Sequence, residues 1–574
     1  MRPLPGRFLF PFLMAASLLG ADPASAVHID PDGRGQVLLF PYYTVNVNKV
    51  TLLTVVNTRS STKALRVRFR ESRNGASVMA FNLYLAPFDV WTGAVSSAPS
   101  GPDYTQAAPA RLITNDSSCT LPQLPLGGSQ DFFEFAYSTG SGADAGPHQR
   151  SRTREGFVEV IELGRVEDVP GVGPTTAFPA ASEIRRGARG ERAGCDWLDL
   201  AWRGSWWDEP GRGILSPDGG LTGNAIIVDV PKGSSFSLSA TAMDGFFVPA
   251  RDCAPDCRGR SSENLHGDFW PDQVTLASAR SADAGVAHAE FHHGAQFQSL
   301  RFSGPDAGLK AVSAVLMQRQ LDNVFAHSTS GLQARTEWVL TFPTKPLHLA
   351  RDTPIERLPF RAEYRWSATQ PDWPIFQTSG ACEPLRADYG DRQGQRVGRV
   401  AEGAQFLPPP IPPAPSLCHA SQVIALNNPA VTGYRERLHE VHFGDAPSPL
   451  LGSAHPLHWD TCRSRAQRSD SDPGVCDSRL EGLFTEGWMR LELGDPQRNY
   501  LFSSLQPDSD TRSANLLLGL PVIGFAVTEF TGGVQEGLLA NFSTLTEHAG
   551  ERAPVRGVLD ANFPLGGWTP DPGR

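Results

Sequence analysis

The sequence predicts an all-β fold, arranged as two immunoglobulin-like β-sandwich domains with long disulfide-bracketed loop inserts. Three observations carry this: apolar residues that alternate with period two, turn residues scattered along the chain, and cysteines that bracket loop-like stretches. In 64–71 (ALRVRFRE), Leu65, Val67 and Phe69 face one way while Arg66, Arg68 and Arg70 face the other. That is the pattern of an antiparallel strand with one buried face. Phe81, Leu83 and Leu85 repeat it. The 56 Gly and 48 Pro follow no period and break the chain every few residues, which favours short strands over long helices.

Taken in order, strands are expected at 36–43 and 50–57, joined by a polar 46–48 connection, then at 64–71 and 81–85. Further strands are expected at 157–163, 225–230 and 236–242, with a boundary near 300. The second set comprises 311–317, 337–342, 422–427, 488–493, 521–530 and 538–542. Within it Trp338, Leu340 and Phe342 share a face, as do Met489, Leu491 and Leu493. Two inserts interrupt this set, at about 344–419 and 444–483; the first contains the Pro-rich 407–415 (LPPPIPPAP), which favours extended polyproline II. The domain layout is therefore a signal peptide at 1–26, an N-terminal sandwich at 27–300 and a C-terminal sandwich at 301–574.

The leader rests on Arg2 and Arg7, the apolar run 8–20, and the small-x-small triplet Ala24, Ser25, Ala26. It predicts export to the periplasm or beyond the cell. No later apolar stretch reaches the roughly 18 residues of a spanning helix, so no integral membrane segment is expected after cleavage. With a net charge of −10 and no Lys/Arg cluster, the chain has no electrostatic footprint for nucleic acid.

Eight cysteines, Cys119, Cys195, Cys253, Cys257, Cys382, Cys418, Cys462 and Cys476, follow the leader, and an even count behind an export signal argues for disulfides. Spacing does not choose the connectivity; sequential pairing is favoured because each pair brackets a loop-like stretch. No cofactor is expected. The metal candidate is His288, Glu290 and His292, which project from one face of a strand with an N/O ligand set of the kind zinc accepts; a polar strand edge is the plainer reading. His439 and His442 are spaced by three, unlike the zinc-protease helix, and His455 and His458 have no supporting motif. Trp197, Trp202, Trp206 and Trp207 stand among Asp196, Asp199, Asp208 and Glu209, a composition that can stack on sugar rings. Packing around Cys195 explains the same tryptophans more simply. No G-x-S-x-G elbow and no phosphate-binding loop occurs.

Several stretches resemble a family of uncharacterised exported proteins of Proteobacteria: 35–57 (GQVLLFPYYTVNVNKVTLLTVVN), 67–70 with 81–91 (FNLYLAPFDVW), 219–230, 314–317, 337–345 (EWVLTFPTK) and 520–526. The resemblance implies one exported protein type running nearly end to end. No activity attaches to that family, so no catalytic residue comes with it. Asn57, Arg66–Phe69 and Pro87 are also loosely similar to immunoglobulin-type periplasmic chaperones, a likeness of fold alone. The expected role is a non-enzymatic secreted or periplasmic protein that binds a surface partner, a protein or a cell-surface glycan, or joins an assembly. A metal- or carbohydrate-acting hydrolase is the alternative.

Overall fold

The computed structural model describes residues 26–99, 108–139, 144, 146–173, 178, 181–184, 195–208, 212–247, 274–281, 285–349, 359–360, 383–400, 416–428, 447–463, 482–493, 504–505, 514–535, 538–559 and 568–570. The expected leader, Cys253, Cys257, Cys382, Cys476, the 407–415 stretch, and His439 with His442 lie outside these residues.

The chain is mostly β, in sheets that are antiparallel among the described strands apart from the parallel pairing of Leu457–Trp459 with Ser421–Leu426. The N-terminal half supplies β1 (Val37–Thr44), β2 (Lys49–Asn57), β3 (Thr62–Glu71), β4 (Ser77–Leu85), β5 (Val90–Ser97), β6 (Ala110–Ile113), β7 (Glu155–Val166), β8 (Leu221–Asp229) and β9 (Ser234–Ser239). An eight-stranded sheet has β1, β7, β3 and β4 at its centre, in that order. A six-stranded sheet runs β9, β8, β2, β5, β6 and Ser129–Asp131. One core joins the two: Leu38 and Phe40 of β1 and Val67 and Phe69 of β3 cluster with Leu53 and Val55 of β2, Trp91 of β5 and Ile227 of β8. Each such side chain contributes about 1.5–3 kcal/mol when fully buried.

The far face of the eight-stranded sheet is covered as well. Val37, Leu39, Ile161 and Leu163 pack there against Leu198 and Trp202 of α1 (Leu198–Arg203) and against α2 (Ala307–Leu316). The arginine face of β3 is consequently buried, not solvated: Arg66, Arg68 and Arg70 are all less than a tenth exposed. Glu159 lies opposite Arg68 in the register and forms ion pairs with Arg70 Nε at 2.8 Å and with Arg68 at 3.4 Å, while Arg66 donates to Asn82 at 3.0 Å. A partner on the neighbouring strand permits what period-two alternation alone does not reveal.

Further along lie β10 (Val286–His293) and β11 (Gln296–Ser303), a hairpin with regular register. The C-terminal sheets use β12 (Gln320–Ala326), β13 (Gln333–Thr341), β14 (Arg386–Asp391), β15 (Ser421–Leu426), β16 (Glu486–Glu492), β17 (Ile523–Gln535) and β18 (Leu538–Glu547). One sheet places β14, β16 and β12 side by side; another runs Leu457–Trp459, β15, β13, β17, β18. Trp338, Leu340, Phe342, Met489, Leu491 and Leu493 share a core, as their alternation predicts.

Two expectations change here. Residues 311–317 do not form a strand but most of α2, which is buried on nearly every side and so shows no polar stripe to distinguish it. The 344–419 insert is not wholly loop, because β14 pairs with β16 inside a sheet. The core also crosses residue 300: Val339, Val423, Phe525 and Val527 pack into the cluster between the two N-terminal sheets.

One disulfide is closed among the described residues, Cys119–Cys195, with Cα atoms 5.4 Å apart, as sequential pairing predicts. Cys418 and Cys462 are disulfide-bonded too. No helix among the described residues is long and apolar enough to cross a membrane.

Candidate functional site

The predicted tryptophan site is split by burial. Trp202 and Trp206 are 3% and 0% exposed and meet edge to face at 5.0 Å, with Trp202 Nε1 donating to Tyr84. They fill the core cluster that also holds Cys119 and Cys195, so neither offers a face to a sugar. Trp197 is half-buried, and Trp207 lies on the short helix Ser205–Asp208. The plainer reading, packing around Cys195, describes Trp202 and Trp206.

His288, Glu290 and His292 do fall on one strand, β10, with alternate residues on a common face. A strand advances about 3.3 Å per residue, so His288 and His292 stand roughly 13 Å apart and cannot share an ion without bending the strand. The side chains have other neighbours: Glu290 accepts from Ser299 at 3.3 Å and the His292 ring packs edge-on against Phe297. No group of three His, Cys, Asp or Glu able to hold a metal forms among the described residues. Asp30, whose sequence opens like a calcium loop, instead accepts the N–H groups of Asp32 and Arg34 in a turn.

The densest buried polar cluster was not expected from the sequence. It grows from the Arg-Glu-Ser-Arg-Asn-Gly turn that follows β3, where Gly75 adopts φ +71° and closes the turn on the Glu71 carbonyl at 3.1 Å. The Glu71 carboxylate accepts the N–H groups of Arg73 and Asn74, each at 2.8 Å, and two bonds from Arg152. Arg152 also grips Asp144 at 2.8 and 2.6 Å and lies 4.1 Å above the Tyr137 ring. Burial alone would push the Glu71 carboxyl up. The Arg152 charge and these donated hydrogen bonds overcome it and hold the group below its ordinary value.

Beside this pair sits a Ser-His-Glu row. Ser72 Oγ lies 3.0 Å from His455 Nε2, and His455 Nδ1 lies 3.2 Å from Glu155 Oε1. Glu155 also receives Ala454 N–H at 3.0 Å and Tyr42 O–H at 2.6 Å, and the His419 ring meets the His455 ring at 4.2 Å. Distances and order match a nucleophile, a base and the group that orients the base. Access does not. Ser72, Glu155 and His455 are 1%, 3% and 4% exposed. The Ser72 backbone is tied on both sides, donating to Glu155 and accepting from Ser421. Burial pushes the Glu155 carboxyl up, against the ionised state that a triad's third member needs. A cavity lined by Pro41, Leu316, Gln318, Phe525 and His548 includes none of the three.

A different kind of surface lies on the solvent side of the six-stranded sheet. The core-facing residues of β2 and β8 leave Val50, Leu52, Thr54 and Val56 pointing outward beside Asn224, Ile226 and Val228. In register, Leu52 lies between Ile226 and Ala94, Thr54 between Asn224 and Thr92, and Val56 beside Val90. No outward position of β9, β8, β2 or β5 carries a charge. Among the described residues, charges lie at the margin, where Arg111 pairs with Asp131 at 2.8 Å and Asp116 accepts the Thr92 N–H at 3.3 Å, or are turned inward, where Lys49 pairs with Asp229 at 2.7 Å. Leu52 and Val90 are 39% and 40% exposed. A broad uncharged patch rimmed by polar groups is the anatomy of an interaction surface.

Comparison with protein-family models, curated proteins and solved structures gives no match to this chain.

Proposed function

We propose that this chain is an exported, non-enzymatic protein of two immunoglobulin-like β-sandwich regions that acts by binding or assembly at a surface. The leader at 1–26 and the resemblance to exported proteobacterial proteins support the address, periplasmic or extracellular. The observation that carries the role is the uncharged outer face of the six-stranded sheet, with Leu52 and Val90 exposed on it.

The test is retention of the mature protein by washed envelope fractions of the producing cell. Leu52→Glu or Ile226→Glu puts a charge on the face without touching the core and is expected to lower retention at least about 30-fold, the effect of stranding an unpaired charge in an interface. Equal retention of wild type and variants would remove the face from the account.

The hydrolase reading has one observation in its favour, the Ser72, His455 and Glu155 row. Because the row is sealed, a fluorophosphonate probe is expected to leave the folded protein unlabelled. Labelling that disappears in Ser72→Ala would replace the binding reading with an enzymatic one.

A further inference from the structure

We propose that the occupant of the outer face of the six-stranded sheet is a second copy of this chain, packed face to face through the same patch about a two-fold axis. This rests on the binding reading above and names its partner. Three features of the face choose among occupants.

Charge comes first. The chain carries a net charge of −10, so two copies repel unless the surfaces that meet are free of carboxylates. The outward positions of β9, β8, β2 and β5 satisfy that condition. A cationic partner would find no carboxylate there, and an anionic one no lysine or arginine. The aliphatic centre, with Leu52, Ile226 and Val228, offers no aromatic ring for sugar stacking.

Shape comes second. Aliphatic outward residues meet across β2 and its neighbours, Val50 with Val228, Leu52 with Ile226 and Val56 with Val90, while β9 sets Ser235 and Ser237 beside Val228 and Ile226. The register on these three strands is free of bulges. Flat aliphatic rows of this kind interdigitate with another sheet at a spacing of about 10 Å. A C2 contact needs the same patch to complement itself, and an aliphatic centre flanked by serine and threonine rows meets that need when the centres stack and the hydroxyl rows face one another.

Size comes third. Four strands about 4.8 Å apart and eight residues long at about 3.3 Å each give a flat footprint of roughly 500 Å². Side-chain relief adds to it, against about 800 Å² of accessible surface per partner in a standard interface. Val324, 56% exposed on β12 in a different sheet, provides a control position.

Sedimentation velocity of the mature protein across low to tens of micromolar tests the proposal. Wild type and Val324→Glu are expected to be dimers. Leu52→Glu and Thr54→Glu are expected to dissociate at least about 30-fold more readily. Thr54 is already polar, so its replacement leaves folding untouched, and an unchanged circular-dichroism melt confirms that for each variant. A monomeric wild type, or dimers that survive both face variants, overturns the proposal. If the wild type is monomeric while Leu52→Glu still loses envelope retention, the binding reading stands with a different partner. If dimers form through this face but no envelope retention exists, the pairing stands and the binding reading narrows to self-assembly.

Discussion

Arg152→Ala is expected to lower folding stability by roughly 3–5 kcal/mol near pH 7, because it leaves the Glu71 and Asp144 carboxylates buried with no cation between them. In urea this appears as a lower midpoint with an unchanged slope. The effect should depend on pH with a definite sign. In the wild type Glu71 is held below its ordinary value of 4.5, so the stability it supplies is complete above about pH 4.5 and drains away as pH falls through its folded value. Without Arg152, burial dominates and Glu71 takes up a proton more readily. Acid then relieves the variant while it weakens the wild type, and the gap between them narrows from about pH 7 to about pH 4. A gap of constant size would mean that packing over the Tyr137 ring, and not charge, is what Arg152 contributes.

Removing the Cys119–Cys195 bridge with paired alanine substitutions is expected to lower stability by about 4.5 kcal/mol. That is the chain-entropy value for a loop closed across a sequence separation of 76. Both sulfurs lie in the cluster that contains the crossed Trp202 and Trp206 rings, so the near-ultraviolet dichroism of those tryptophans should weaken as well. Guanidinium unfolding with and without reductant measures the first effect. A midpoint indifferent to both substitution and reductant would mean that packing holds this corner closed by itself.

Strands were legible wherever the two faces carry different kinds of residue, even where both are buried. Leu65, Val67 and Phe69, or Trp338, Leu340 and Phe342, write their face into the sequence because the alternate positions face something different. Legibility failed where every side carries the same apolar chemistry, or where a partner comes from far along the chain. Residues 311–317 look like a strand because the helix that takes in 311–316 is enclosed on nearly every side and has no polar stripe. Arg68 and Arg70 look solvated because their partner Glu159 is supplied by a strand some 90 residues later. The Ser72 row was invisible for a similar reason, since its serine and histidine are 383 residues apart and share no local motif. The uncharged sheet face could have been found: 50–56 and 222–228 carry no charge on either phase of the alternation, which is unusual for strands with one wet side. The tryptophan segment misled by composition, since buried and sugar-facing indoles look alike in a sequence.

The core that runs across residue 300 has a kinetic consequence. Pro41 receives a hydrogen bond from Thr341, Thr44 donates to Leu451, and Lys232 pairs with Glu529, contacts separated by 300, 407 and 297 residues. Strand β1 is therefore not finished when the first half of the chain has been made, because the side chains that complete its surroundings have not yet emerged. Chains dominated by such distant contacts fold slowly and expose apolar strand faces while they wait. The late strand β17 closes the structure begun by the first, and until it arrives the molecule depends on whatever keeps unfinished sheets apart.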